Sequence, residues 1–149
     1  MPHRSGRLRA GLRASERAGF AHVCQTATSK ELLVLADAAR LFERGARAAV
    51  ALRVLRKRFP GSAESATAAF TLGRIAFEQK RAYAEAARWF GAYLRERPSG
   101  PLMGDAVGRL MESKLAAGDH DGARSDAGRY LRRFPEGPYA SEARGILSR

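Results

Sequence analysis

The side chains that most often serve as nucleophiles or metal ligands are sparse in this chain. Its one cysteine, Cys24, follows His22 by two positions, and His3 and His120 stand apart from both. A zinc site takes at least three protein ligands, so two on one short segment fall short. Asp119-His120-Asp121 is a compact acid and imidazole grouping, yet it lies between Gly118 and Gly122, where Asp and Gly suit a tight turn. No nucleophile signature and no phosphate-cradling glycine loop after a strand is present. Catalysis, a metal and a cofactor are therefore not expected.

The plentiful functional group is the guanidinium. Lys and Arg number 27 against 15 Asp and Glu, a formal charge of +12. A planar guanidinium grips a carboxylate or phosphate with two parallel hydrogen bonds. An excess of this size raises affinity for nucleic acid, anionic lipid or an acidic protein without choosing among them. Three clusters, Arg56-Lys57-Arg58, Arg95 with Arg97, and Arg132-Arg133, fall where helices are expected to end, and there cations complement exposed carbonyls.

The elements that must position these groups are helices. Apolar residues make up 45% of the 149, Ala and Leu recur, and β-branched residues are few, a bias that favours helix. A chain of this length suits one domain with a self-sufficient core. A single cysteine excludes an intrachain disulfide. No apolar run approaches the roughly 18 residues of a membrane span. The Arg-rich start is followed by no apolar signal region, and Cys24 follows Ala21-His22-Val23 without an apolar lead. Neither a secretory signal nor a lipoprotein anchor is expected, and the chain reads as soluble and, by default, cytoplasmic.

An internal repeat organises the rest. Leu55-Arg56-Lys57-Arg58-Phe59-Pro60-Gly61-Ser62, Leu94-Arg95-Glu96-Arg97-Pro98-Ser99-Gly100-Pro101 and Leu131-Arg132-Arg133-Phe134-Pro135-Glu136-Gly137-Pro138 end alike, their first prolines 38 and 37 residues apart. Twelve residues before each of these prolines stands an alanine, Ala48, Ala86 or Ala123, small enough for a tight helix crossing. Proline stops a helix and pushes the residue before it out of the α region. The neighbouring Gly and Ser supply turn freedom and a cap, and Pro101 and Pro138 read as first-turn residues of the next helix. Between the turns the apolar spacing is helical, as in Phe70, Leu72, Ile75, Ala76 and Phe77. The pattern predicts helices near 30–44, 47–58, 62–79, 83–96, 102–117, 120–133 and 138–148. The expected fold is all-α: about three antiparallel helix pairs stacked as a solenoid, with a C-terminal capping helix.

These positions resemble the tetratricopeptide repeat. The second repeat is nearest, with Leu72-Gly73, Tyr83, Ala86, Phe90 and Pro98; the third has Leu110, Gly118, Ala123 and Pro135, and the first has Leu35-Ala36 and Gly45. The likeness covers about residues 30–149. Within the family the chain resembles divergent bacterial versions whose helix pairs end in Phe-Pro-x-Gly/Ser, found in envelope-associated lipoproteins, cell-division coordinators and appendages of anti-sigma regulators. The resemblance implies a non-enzymatic scaffold that binds a peptide or helix of a partner protein, with envelope or regulator association in view.

In that family the first helices of each pair line a concave peptide groove. The residues facing it here are expected to include Lys30, Asp37, Arg40, Thr67, Arg74, Asp105, Arg109 and Glu112. Arg40, Arg74 and Arg109 would form a basic stripe for an acidic or C-terminal peptide segment, against the competing reading of an ordinary solvated face. The chain contains no asparagine, so the asparagine-based carboxylate clamp of the chaperone-binding members cannot be assembled in its usual form. Phe77, Tyr83, Trp89, Phe90, Tyr93 and Tyr130 read as core or inter-repeat contacts. Trp89 is the one suited to an interface. Residues 1–29, basic and weakly periodic, read as a flexible arm. A short helix capping the open end of the stack is the structured alternative, and self-association through that end is open. The main alternative function is a basic helical nucleic-acid-binding protein.

Overall fold

The computed structural model describes residues 16–41 and 45–149. Among the described residues the regular structure is entirely helical. Helix α1 runs over 16–26, followed by α2 (Ser29–Leu41), α3 (Gly45–Arg58), α4 (Ala63–Glu78), α5 (Tyr83–Glu96), α6 (Met103–Ala116), α7 (His120–Arg133) and α8 (Ala140–Leu147). The expected helices agree within a residue or two, and α5 and α7 agree at both ends. The last residues of the expected 30–44 helix, 42–44, lie outside the described residues. Among the described residues no helix is long and apolar enough to cross a membrane.

Each helix start and stop has a local cause. Thr28 Oγ1 accepts from the Glu31 amide at 3.1 Å while Glu31 returns the bond to the Thr28 amide at 3.2 Å, a capping box that opens α2. Ser62 and Asp119 cap α4 and α7 by accepting from Ser65 and Gly122 amides. Gly118 closes the α6–α7 turn at φ +85°, a left-handed conformation open to glycine. Pro101 and Pro138 are not first-turn residues as expected. Each lies one position ahead of the N-cap, Leu102 or Tyr139, inside the turn.

From α2 to α8, each helix packs on those before and after it in the chain, and α2 also touches α4. Two apolar clusters result. One gathers Leu32, Leu52, Leu55, Leu72 and Ile75; the other gathers Phe70, Phe90, Tyr93, Val107, Met111 and Tyr130. Trp89 packs against both and joins them.

Where residues 1–29 are described, they begin with a helix. Residues 16–26 form a helix that buries Cys24 completely, and Ala27 beside it is 5% exposed within the N-terminal cluster. Arg58 secures it, its Nη1 donating to the Cys24 and Ala27 carbonyls at 2.7 and 2.6 Å. Those are the orphan carbonyls at a helix end, and Arg58 serves α1 rather than its own helix. The apolar residues of α1 show no clear period; besides Cys24 and Arg58, Phe20 packs on the N-terminal cluster, and Arg47 pairs with Glu16 at 3.3 Å and lies over the Phe20 ring at 5.8 Å. Residues 1–15 lie outside the described residues. Cys24 and His22, two apart on this helix, point to opposite sides, His22 to solvent. Burial pushes the Cys24 thiol up, with Arg58 opposing.

The repeat carries a shared turn device. Tyr93 Oη accepts from the Leu102 amide at 3.0 Å, and 37 residues later Tyr130 Oη accepts from the Tyr139 amide at 3.1 Å. A Cβ at Gly100 or Gly137 would collide with these hydroxyls, which is why the turns carry glycine there. Tyr130→Phe is expected to cost about 1–2 kcal/mol, because a partly buried amide loses its acceptor. A thermal melt should move down by a few degrees; an unchanged midpoint would show that water replaces the hydroxyl without loss.

Candidate functional site

The residues expected to face a groove divide into two groups. Arg74, Arg109 and Glu112 come together around Glu78, at the end of α4. Arg109 Nη2 lies 2.7 Å from Glu78 Oε1 and its Nη1 lies 3.6 Å from Glu112 Oε2. Arg74 Nε reaches the same Glu78 oxygen at 3.6 Å. The Arg109 guanidinium also sits over the Phe77 ring at 4.8 Å and the Phe90 ring at 5.8 Å. With its side chain 16% exposed, Arg109 is held by two carboxylates and two rings.

The second group stays apart. Among the described residues Asp37 and Arg40 approach only each other, at 3.8 Å within α2. Lys30 is exposed and joins no ion pair among the described residues. Thr67 donates its hydroxyl back to the Ala63 carbonyl at 3.1 Å, so that donor is spent on its own helix. Arg40, Arg74 and Arg109 thus each have a carboxylate beside them.

Toward α8 the face becomes rich in carboxyls. Burial first, then the Glu142 carboxylate, push the Glu112 carboxyl up to about 7, against the opposing pull of Arg109. The Tyr139 phenol is raised by burial and then by Glu112, with Arg109 opposing and Asp105 and Glu142 adding to the rise. The Tyr139 ring covers Gly108, where a Cβ would fall within 2.4 Å of ring carbon, so α6 can carry only glycine beneath it. Asp105 stands exposed one turn away.

Glu78, Tyr139 and Glu142 were absent from the expected set. Glu78 was findable, being four residues after Arg74 on the same helix. Glu142 was findable too, because Thr67, Asp105 and Glu142 occupy one repeat position at spacings of 38 and 37. Tyr139 carried no sequence signal, since it lies in a turn and only the α6–α8 packing brings it over Gly108.

The site contains two guanidiniums, four carboxyls and a phenol. They can form ion pairs and hydrogen bonds with a second chain and can exchange a proton near neutral pH. Asp119-His120-Asp121 supplies the N-cap and first residues of α7, with His120 exposed. Comparison with protein-family models and with curated proteins found no match for the chain.

Proposed function

We propose that the chain is a tetratricopeptide-like helical repeat that binds a peptide or helix of another protein across α4, α6 and α8. The observation that carries this reading is the alternation of charge across separate helices, centred on Arg109. Arg109 is locked by Glu78, Glu112, Phe77 and Phe90, so a partner meets a side chain whose ordering cost is already met. Packing of each helix on its sequence neighbours and the repeated Tyr–turn device support the repeat reading. The competing charges favour a partner segment that carries cations toward Glu112 and Glu142, in place of the purely acidic segment expected from the arginines alone. This is binding without catalysis, and envelope or regulator association stays part of the proposal.

The test is affinity capture with the tagged full chain at moderate salt after nuclease treatment, run beside Arg109→Glu. The protein retained by the natural chain should be lost with the variant, by tenfold or more in a follow-up titration of the identified partner, as for a centrally placed charge. Equal retention by a folded Arg109→Glu chain would remove this face from the function.

A further inference from the structure

Among the described residues, most of the unpaired positive charge lies on α3, α5 and α7, although Arg47, Arg53 and Arg56 of α3 are paired and Lys30 of α2 is not. Arg40, Arg74, Arg109 and Lys114, on α2, α4 and α6, each lie beside a carboxylate. By contrast, Lys57 on α3, Arg88 and Arg95 on α5, and Arg124, Arg129 and Arg132 on α7 make no hydrogen bond or ion pair among the described residues. Lys57, Arg95 and Arg132 occupy one repeat position, 38 and 37 residues apart, and all three are exposed.

The grooves between these outer helices are not alike. Between α3 and α5, Trp89 fills the gap with Arg56 over its ring at 5.4 Å, and Arg56 forks onto Glu96 at 3.1 and 2.8 Å. Arg53 reaches Glu85 at 3.7 Å and completes the closure. One repeat later Asp126 stands in the place of Trp89, Gly122 in that of Glu85 and Arg133 in that of Glu96. Exchanging an indole for a short acid leaves a cavity of about 320 Å³ between α5 and α7, lined by Gly91, Arg95, Leu110, Lys114, Asp126 and Arg129. Asp126, 6% exposed, is held by Lys114 Nζ at 2.8 Å. A buried ion pair contributes little to stability compared with apolar packing, so packing alone gives no reason for it here. Lys114 is neutralised by Asp126, and the charges of Arg95 and Arg129 remain over.

We propose that the α5–α7 groove is a phosphate site for a nucleic-acid backbone, with Arg95 and Arg129 as its phosphate ligands and Lys114 behind them. Lys57, Arg88, Arg124 and Arg132 extend the contact along the outer helices. Three observations favour this occupant. Of the large exposed apolar residues Val23, Val34, Leu41, Val50 and Leu147, only Val50 lies on α3, α5 or α7, so the face lacks the apolar anchors a membrane surface takes. More of the exposed groove lining is polar than apolar, with Arg95, Lys114, Asp126 and Arg129 beside Ala87, Leu94 and Leu110, whereas protein interfaces are apolar at their centre. Five of these six unpaired cations are arginines, whose planar fork matches a phosphate. The inference does not rest on the protein-binding proposal, which uses the other set of helices.

The experiment is fluorescence anisotropy of the full chain with labelled mixed-sequence oligonucleotides, single-stranded and duplex, between about 50 and 200 mM salt. Binding should weaken on the order of a thousandfold across that range, as about six phosphate contacts require. Arg95→Ala with Arg129→Ala should weaken binding and reduce the salt slope by about two. Asp126→Asn should tighten binding by freeing Lys114, while Asp121→Asn, an exposed acid on the same helix, should leave it nearly unchanged. Arg109→Ala should also leave it unchanged. Circular dichroism checks each fold, and the arginine pair decides the question alone if Asp126→Asn does not fold. A folded arginine double variant that binds like the natural chain overturns the proposal. So does competition by polyglutamate or phosphatidylserine vesicles, at matched charge, equal to that of unlabelled oligonucleotide.

Discussion

Phe90→Ala is expected to cost the fold about 3–5 kcal/mol, the usual range for emptying a fully buried aromatic site. Phe90 is 0% exposed and meets Phe70 edge to face at 5.3 Å. The surroundings cannot close over the gap. Gly73 on α4 already lets the ring in so closely that a Cβ there would stand 2.8 Å from it. The same geometry forbids the gain of about 1 kcal/mol that Gly→Ala normally brings to a helix. Against a total stability of about 5–15 kcal/mol, the loss removes a large share. Urea denaturation should show the midpoint falling with an unchanged slope. Phe90→Leu, which keeps most of the volume, should lose much less. The substitution also takes away one of the two rings beneath Arg109, so partner binding should weaken even in chains that remain folded. A loss under 1 kcal/mol would mean that the ring does not close this core.

The second large effect is a pH dependence centred on Glu112. Its carboxyl is raised from 4.5 to about 7 in the folded protein, chiefly by burial and then by Glu142, with Arg109 opposing. Between these values an unfolded chain has released the proton while the folded chain keeps it. Stability from this group is therefore complete below pH 4.5, declines as pH rises toward 7 and levels off above that. At about 1.4 kcal/mol per unit, the decline amounts to about 3–4 kcal/mol. Glu112→Gln keeps the shape and cannot ionise. It should match the natural chain in acid and exceed its stability by about that amount above neutral pH. Urea midpoints of both chains from about pH 4 to 8 test this through their difference, which cancels the other titrating groups. Parallel profiles would show that Glu112 ionises freely in the folded chain.

The helices were legible because their causes are local. Pro60, Pro98 and Pro135 end them, glycines and caps turn the chain, and apolar residues recur at helical spacing. Helix α1 was not legible. It rests on Cys24 and Phe20 and on Arg58 and Arg47, more than 25 residues away, and contacts at that separation leave no period in the sequence. The helix positions of Arg74, Arg109 and Glu112 were readable by counting, and so was the matching repeat position of Glu142. The state of those side chains was not. Counting placed Arg74 and Arg109 on first helices; it could not show that Glu78 draws both in or that two aromatic rings lie under one of them.

By itself, the sequence determined an all-helical chain, a repeat of 37 to 38 residues and a surplus of twelve positive charges. Composition, helix breakers and spacing act through neighbours along the chain, so they can be read from it directly. Tertiary structure alone decided which arginines are neutralised and which stay free. It closed the α3–α5 groove with Trp89 and opened the α5–α7 groove at Asp126. The reason is physical: a charge's environment depends on partners several turns away and on the water excluded around it. Those quantities come into existence only when the helices pack.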